Sequence, residues 1–191
     1  MTDKILDIFR EKGAYLDGHF GLTSGKHSPV YLQCALVLQH PPIARDLGRE
    51  LAQLAGEGID LVVSPAVGGI VIGQEVAFHL GARAIFTERV DGKMSLRRGF
   101  EIRPGEKVLA VEDVVTTGGS CREAADLAVD GGGDLVATAS IVHRYAQEPV
   151  NPTDRPHHAL LKVHAPAYDP EQCPLCKAGN PLEKPGSRAI K

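Results

Sequence analysis

The sequence predicts an α/β fold: a mainly parallel sheet flanked by helices, preceded by a small N-terminal β segment. Two observations carry this. Short, strand-type apolar stretches recur at "DLVVS", "RAIFTE", "KVLAVED", "LVATASIVHR" and "HALLKVH". Helix-type stretches separate several of them, and strands alternating with helices build a parallel sheet covered on both faces.

The elements follow in order. Ile5, Leu6, Ile8 and Phe9 have helical spacing and mark a first amphipathic helix, closed by Gly13. "GHFGLTSGKHSPVYLQC" has glycines, a proline and alternating apolar residues, and reads as a turn-rich β segment. Pro41-Pro42 opens a helix to about Ala55, with Leu47, Leu51 and Leu54 on one face. "DLVVS" is a buried-type strand, followed by "PAVGG" and an apolar helix from Ile70 to Leu80. "RAIFTE" is the next strand. A polar, glycine-punctuated loop then leads to "KVLAVED" and a helix from about Gly119 to Val129, ended by three glycines. Two further strands complete the sheet. Pro170, Pro174, Pro181 and Pro185 make the C-terminus an extended tail. The chain reads as a single domain, 1–191, with an N-terminal segment of about 1–40 and a tail of 170–191.

Composition narrows the function classes. The 191 residues carry a formal charge of -3 with 24% charged residues, and no strongly basic block. That argues against nucleic-acid binding. No apolar run approaches a membrane span, and the N-terminus lacks a signal peptide's apolar block, so a cytoplasmic protein is expected. Four scattered cysteines are too few for a disulfide scaffold.

The chemistry concentrates in "VLAVEDVVTTGGS", Val108 to Ser120. An apolar strand ends in two acids, Glu112 and Asp113. A loop of Val114, Val115, Thr116, Thr117, Gly118 and Gly119 then enters a helix at Ser120. Ligands of open α/β sheets bind beyond the carboxyl ends of strands. Glycines let backbone N–H groups converge there, and the helix N-terminus adds partial positive charge. Thr116, Thr117 and Ser120 add hydroxyl donors. This is a phosphate cradle, without the Gly-Lys-Ser/Thr of the nucleotide P-loop. Adjacent carboxylates beside it suit the vicinal hydroxyls of a ribose, so the stretch describes a ribose 5-phosphate site. The plain alternative is a strand followed by a capped helix with acids near its start.

This stretch resembles the phosphoribosyl-diphosphate (PRPP) motif of type I phosphoribosyltransferases. The rest of the chain is similar to the orotate-using members of that family. "FGLTSGKHSPVYLQ" resembles their N-terminal hood, "SPAVGGIVIG" their diphosphate loop, and "ERVDGKMSLRRGFEIRPGEKVLAVEDV" their mobile loop leading into the PRPP motif. "CPLCKAGNPLEKPGSR" resembles the tail of a subgroup from thermophilic bacteria. Better-known members carry lysines where Thr23, Gly68 and Val90 stand here.

The resemblance implies the type I fold and the reaction of PRPP with orotate to give orotidine 5′-phosphate and diphosphate, in pyrimidine (UMP) biosynthesis. It implies Mg2+ as cofactor and a homodimer whose lid reaches into the partner's site. Glu112 to Ser120 would hold PRPP, with Lys26 and Arg89 on the diphosphate or its metal. Thr116 and Arg144 would meet orotate. Lys93 and Asp113 are the expected catalytic residues. Lys93, Arg97 and Arg98 lie in the polar loop, with Gly92 and Gly99 as candidate hinges of a lid. Taken singly, each has a plain alternative: a solvated loop charge, a surface turn at Lys26, or a strand-end salt bridge at Arg144. Two other functions share the motif: transfer to another purine or pyrimidine base, and PRPP sensing by a regulatory protein.

Cys173-Pro174-Leu175-Cys176 has zinc-knuckle spacing but supplies two ligands. A complete site needs Cys or His from elsewhere, and no spacing singles out His157, His158 or His164. The pair reads as reduced thiols in the tail, and no metal ligand is assigned.

Overall fold

The computed structural model describes residues 2–22 and 24–185; Thr23 and the last six residues of the tail lie outside them. Helix α1 spans Thr2–Glu11, and a hairpin of β1 (Tyr15–Gly21) and β2 (His27–Leu32) follows. Its strands pair antiparallel in a separate two-stranded sheet, with a register shift between Asp17 and Phe20. Then come α2 (Cys34–Leu38), α3 (Pro41–Ala55), β3 (Leu61–Pro65), α4 (Gly69–Leu80) and β4 (Arg83–Val90). β5 (Lys93–Leu96), β6 (Lys107–Val115), α5 (Gly119–Asp130), β7 (Asp134–Tyr145) and β8 (His157–His164) complete the sheet. A 3-10 turn (Pro170–Gln172) and α6 (Pro174–Lys177) lie in the tail.

The main sheet has the order β5-β4-β3-β6-β7-β8. All its neighbours run parallel except the β4–β5 hairpin. Strand alternation sends β6 side chains to two cores. Leu109 and Val111 join Phe9, Leu51, Ile72 and Ile141 on one face. Val108 and Ala110 join Val63, Ile85 and the Ala124 and Ala128 methyls of α5 on the other. A sheet buried on both faces needs apolar residues at consecutive strand positions, which is what β3 and β6 carry. Among the described residues no helix is long and apolar enough to cross a membrane.

The chain leaves β3 outward to β4, then returns to β6 on the other side of β3. That reversal is a topological switch point, where the connections diverge and open a crevice above the strand ends. The loops after β3 and β6 flank it.

The fold corrects two expectations. The polar stretch after β4 is not an open loop. Residues 93–96 form β5, paired with Thr87–Val90. Gly92 and Gly99 stand at turns, with φ of 82° and 71°. Alternation along this short edge strand was hidden by its charges. The tail is not free either: it docks on the hairpin through Glu183, whose N–H donates to His19 O and whose carbonyl accepts from Gly21 N.

Candidate active site

An open cleft of about 1420 Å³ lies at the carboxyl ends of β4, β6 and β7, roofed by the hairpin and the tail. Twelve of the thirteen residues expected to act in it are Lys26, Arg89, Lys93, Arg144 and those from Glu112 to Ser120 other than Val115. Of these, all but Lys93 line the cleft.

The cradle is built by β6 running into α5. Thr116, Thr117 and Gly119 are exposed at its mouth, while Gly118 is buried. Gly118 has φ 77°, and a Cβ there would lie 2.9 Å from Pro152 Cα. Only glycine takes this position without strain. The first-turn N–H groups of α5 have no intrahelical acceptors and face the loop. The backbone at Cys121, in that turn, favours the charged form of Glu112.

The acid pair is electrostatically exposed to burial, not to cations. Desolvation and the neighbouring Asp113 charge push the Glu112 carboxyl up to about 8, against a smaller opposing pull from Arg89. Asp113 is also raised by desolvation, with the Val114 N–H opposing. That N–H donates to Asp113 Oδ1 at 2.9 Å. The β3 loop closes over the pair: a Cβ on Gly68 would lie 2.6 Å from Asp113 Oδ2. A lysine at this position, as in better-known relatives, would need the acid or the loop to move.

On the opposite wall, Arg144 ends β7. It is 7% exposed, and its guanidinium donates to Ser28 Oγ at 2.7 Å. Its Nε has no partner. Among the described residues no carboxylate lies within ion-pair distance of it. Desolvation pulls its pKa down. A buried guanidinium with free donors suits a planar anionic acceptor. Lys26 pairs with Asp169 of the tail at 3.3 Å, and Arg89 pairs with Glu123 of α5 at 2.6 Å.

Two expected residues stand elsewhere. Val115 is fully buried in the core beneath α5, because it follows Val114 on a strand and so faces the other way. Lys93 is exposed and lies outside the cleft of its own chain, since β5 projects at the sheet edge beyond β4. Its neighbour Arg98 is held by Glu88 through two bonds of 2.8 Å and lies over Phe86.

The histidines also sort differently from expectation. His157 hydrogen-bonds Thr138 Oγ1 and Ser140 Oγ, and His164 bonds Ala146 O. Neither, nor His158, joins Cys173 and Cys176. His19 and His27 of the hairpin do. Tyr31 and Tyr168 are further cleft residues that were not singled out from the sequence, and Ser28, fully buried, accepts a hydrogen bond from Arg144. Ser28 was legible only as part of the hood stretch.

Fold and cleft together define a phosphoribosyltransferase: residues 35–157 match the phosphoribosyl transferase domain. The chain is 52% identical over 189 residues to an orotate phosphoribosyltransferase of Heliobacterium modesticaldum, covering 97% of this chain and 98% of the relative. It is 47% identical over 188 residues to that of Thermotoga maritima, covering 98% and 100%. The chain belongs to the orotate phosphoribosyltransferase family. Its fold is similar to the crystal structure of the orotate phosphoribosyltransferase from Aeropyrum pernix, with a TM-score of 0.64 and 21% identity over 83% of this chain and 93% of the other. It is also similar to the Mycobacterium tuberculosis enzyme in complex with PRPP, with a TM-score of 0.61 and 20% identity over 84% and 96%.

Proposed function

We propose that this cleft transfers the 5-phosphoribosyl group of PRPP to orotate, releasing diphosphate and orotidine 5′-phosphate for UMP biosynthesis. The observation that carries the base assignment is Arg144: a buried guanidinium held by Ser28 and lacking an acid partner among the described residues. Orotate brings a carboxylate, and a purine base does not.

The residues divide the substrate between them. Thr116 to Ser120 hold the 5-phosphate through backbone N–H groups and hydroxyls. Glu112 and Asp113 accept hydrogen bonds from the ribose diol, which fixes the ring while the anomeric carbon changes partner. The C1–diphosphate bond breaks, the bond to the orotate ring nitrogen forms, and that nitrogen loses its proton. Positive charge develops on the ribose in the transition state. The Asp113 carboxylate stabilises it, as preorganised charges do, while Glu112, protonated below about 8, holds the diol by hydrogen bonding. Thr116 and Arg144 orient orotate, and Val114 lines the ribose end.

Lys26 and Arg89 approach the diphosphate after exchanging their present acid partners. Mg2+ fits this donor set, since the acid pair offers hard oxygens with no cation bound to them and the remaining ligands would come from PRPP and water. When bound, it neutralises the leaving diphosphate. Lys93 serves the cleft of a second subunit in a cytoplasmic homodimer; its position outside its own cleft supports that reading.

The test is diphosphate release from PRPP and Mg2+ with orotate, uracil, adenine and hypoxanthine in turn. Release with orotate alone is expected. Release with a purine, or none with orotate, overturns the assignment.

A further inference from the structure

Four side chains that the transfer reaction does not use converge where the tail meets the hairpin. The ligating atoms of His19, His27, Cys173 and Cys176 all lie within 4.8 Å of one another. His19 Nε2 is 3.0 Å from His27 Nδ1, 3.5 Å from Cys173 Sγ and 3.7 Å from Cys176 Sγ. Cys176 Sγ is 3.2 Å from His27 Nδ1. Neither cysteine is in a disulfide.

These are four of the six edges of a tetrahedron around a small metal ion, and the other two lie within 4.8 Å. With Zn–S near 2.3 Å and Zn–N near 2.0–2.1 Å, tetrahedral geometry requires N···N of about 3.3 Å and N···S of about 3.6 Å. Every measured edge is within about 0.4 Å of those values. We propose that His19, His27, Cys173 and Cys176 form a structural Zn2+ site that clasps the C-terminal tail to the N-terminal hairpin.

The surroundings support a metal over a hydrogen-bonded cluster. His19 Nδ1 lies 2.9 Å from Asn180 O. A carbonyl only accepts, so Nδ1 carries the proton and Nε2 points a bare lone pair at the other three atoms. This is how metal-bound histidines are oriented by their outer neighbours. Three neighbours cannot all donate to that one lone pair, whereas one cation accepts from all four groups. The backbone also aims the ligands. The register shift between Asp17 and Phe20 brackets His19. The single turn of α6 presents Cys173 and Cys176 on one side, with Lys177 N–H closing on Cys173 O. His19, His27 and Cys173 are buried, so water competes little for the ion.

Two nitrogens and two sulfurs with no open position select zinc over magnesium, which prefers oxygen. The site is therefore distinct from any ion that accompanies PRPP. Binding converts both thiols to thiolates and releases two protons to solvent; no electron is transferred. Its effect falls on the cleft roof. Lys26 and Ser28 flank His27, and Tyr168 pairs with His27 through both backbone hydrogen bonds. An isolated two-stranded hairpin is marginal alone, so a metal clasp supplies the rigidity that the roof lacks.

The experiment uses the full, untagged chain purified without chelator. Elemental analysis is expected to find one zinc per chain, resistant to gel filtration. Replacement by Co2+ should give the visible bands of a tetrahedral site and near-ultraviolet sulfur-to-cobalt charge transfer. Chelation should lower Tm and open the tail to trypsin at Lys177 and Lys184, with zinc restoring both. In a Cys173→Ser, Cys176→Ser variant, metal content should fall to background and the charge-transfer band should vanish. Substoichiometric zinc with no cobalt spectrum on titration of wild type overturns the proposal, even if the variant fails to fold. So does zinc retained by the double variant, or a Cys173–Cys176 disulfide in the protein as isolated.

Discussion

Replacing Arg144 with glutamine separates binding from stability, because the two should move in opposite directions. Glutamine keeps a donor at the level of Nε, two bonds short of the Nη2 that reaches Ser28 Oγ, and removes the charge. In the free protein the guanidinium is desolvated, with one unpaired Nε and no acid in ion-pair distance among the described residues. Its removal relieves a cost, so Tm of the free enzyme is expected to hold or rise. With orotate, the same change removes a charge-assisted hydrogen bond worth about 1.5–3 kcal/mol. At about 1.4 kcal/mol per decade, kcat/KM for orotate should fall about 10- to 150-fold. PRPP affinity should be unchanged, since the cradle belongs to the β6–α5 loop and not to β7. Steady-state kinetics at saturating PRPP, calorimetry with PRPP and a thermal melt measure the three quantities. An unchanged orotate kcat/KM, or an equal loss of PRPP affinity, would refute the assignment of Arg144 to the base.

Gly118→Val should abolish PRPP binding in calorimetry: φ of 77° costs a β-branched residue about 1–3 kcal/mol, and its Cβ would meet Pro152. Wild-type affinity in a folded variant would remove the cradle. Glu112, raised from 4.5 to about 8, binds more protons in the folded state between those values. The stability of the free enzyme should therefore fall as pH rises through that window, by at most about 5 kcal/mol, and level off above it. Glu112→Gln should flatten this dependence and also slow turnover; a variant whose denaturation midpoint tracks wild type across pH 5–9 would contradict the assignment. Lys93→Ala should lower kcat more than it weakens PRPP binding. Mixed dimers with Asp113→Asn subunits should regain activity, and their silence would argue against a lysine acting across the interface.

Legibility in the sequence followed locality. Glu112 to Ser120 could be grouped at one cleft, Val115 apart, because strand, acids, glycines and helix start are contiguous, and each constrains the next. Within that run Val115 was misread, although the period of two along β6 already turned it from the cleft. β5 was missed because four residues with a lysine at one end carry little strand signal, and the pairing with β4 that makes it a strand is not in its own composition. Arg144 could be named only through resemblance. Its burial depends on a hairpin residue, Ser28, lying 116 positions away. The Cys173 and Cys176 pair shows the same limit more sharply. Its spacing was visible, but its histidine partners lie 154 and 149 positions upstream. Only docking of the tail on the hairpin brings them together, and no periodicity in either segment foretells it.

The cleft holds acidic and basic groups without partners of opposite charge, and the arrangement is complementary to one kind of ligand. Burial raises both Glu112 and Asp113, the Asp113 charge raises Glu112 further, and Arg89, the cation that acts on Glu112, is committed to Glu123. Arg144 is buried, and among the described residues no carboxylate pairs with it. Within a compact fold, acids and an arginine in one cavity would be expected to pair, yet the acid pair and Arg144 sit on separate strands, β6 and β7, and do not. A scaffold that only needed stability would pair or discard them. Kept apart, they await a molecule that offers hydroxyl donors at one end and an anionic acceptor at the other. A ribose diol and a carboxylated base supply these when both substrates are bound. The penalty in the free enzyme is then released on binding, as preorganised sites require, and neither substrate alone relieves both halves.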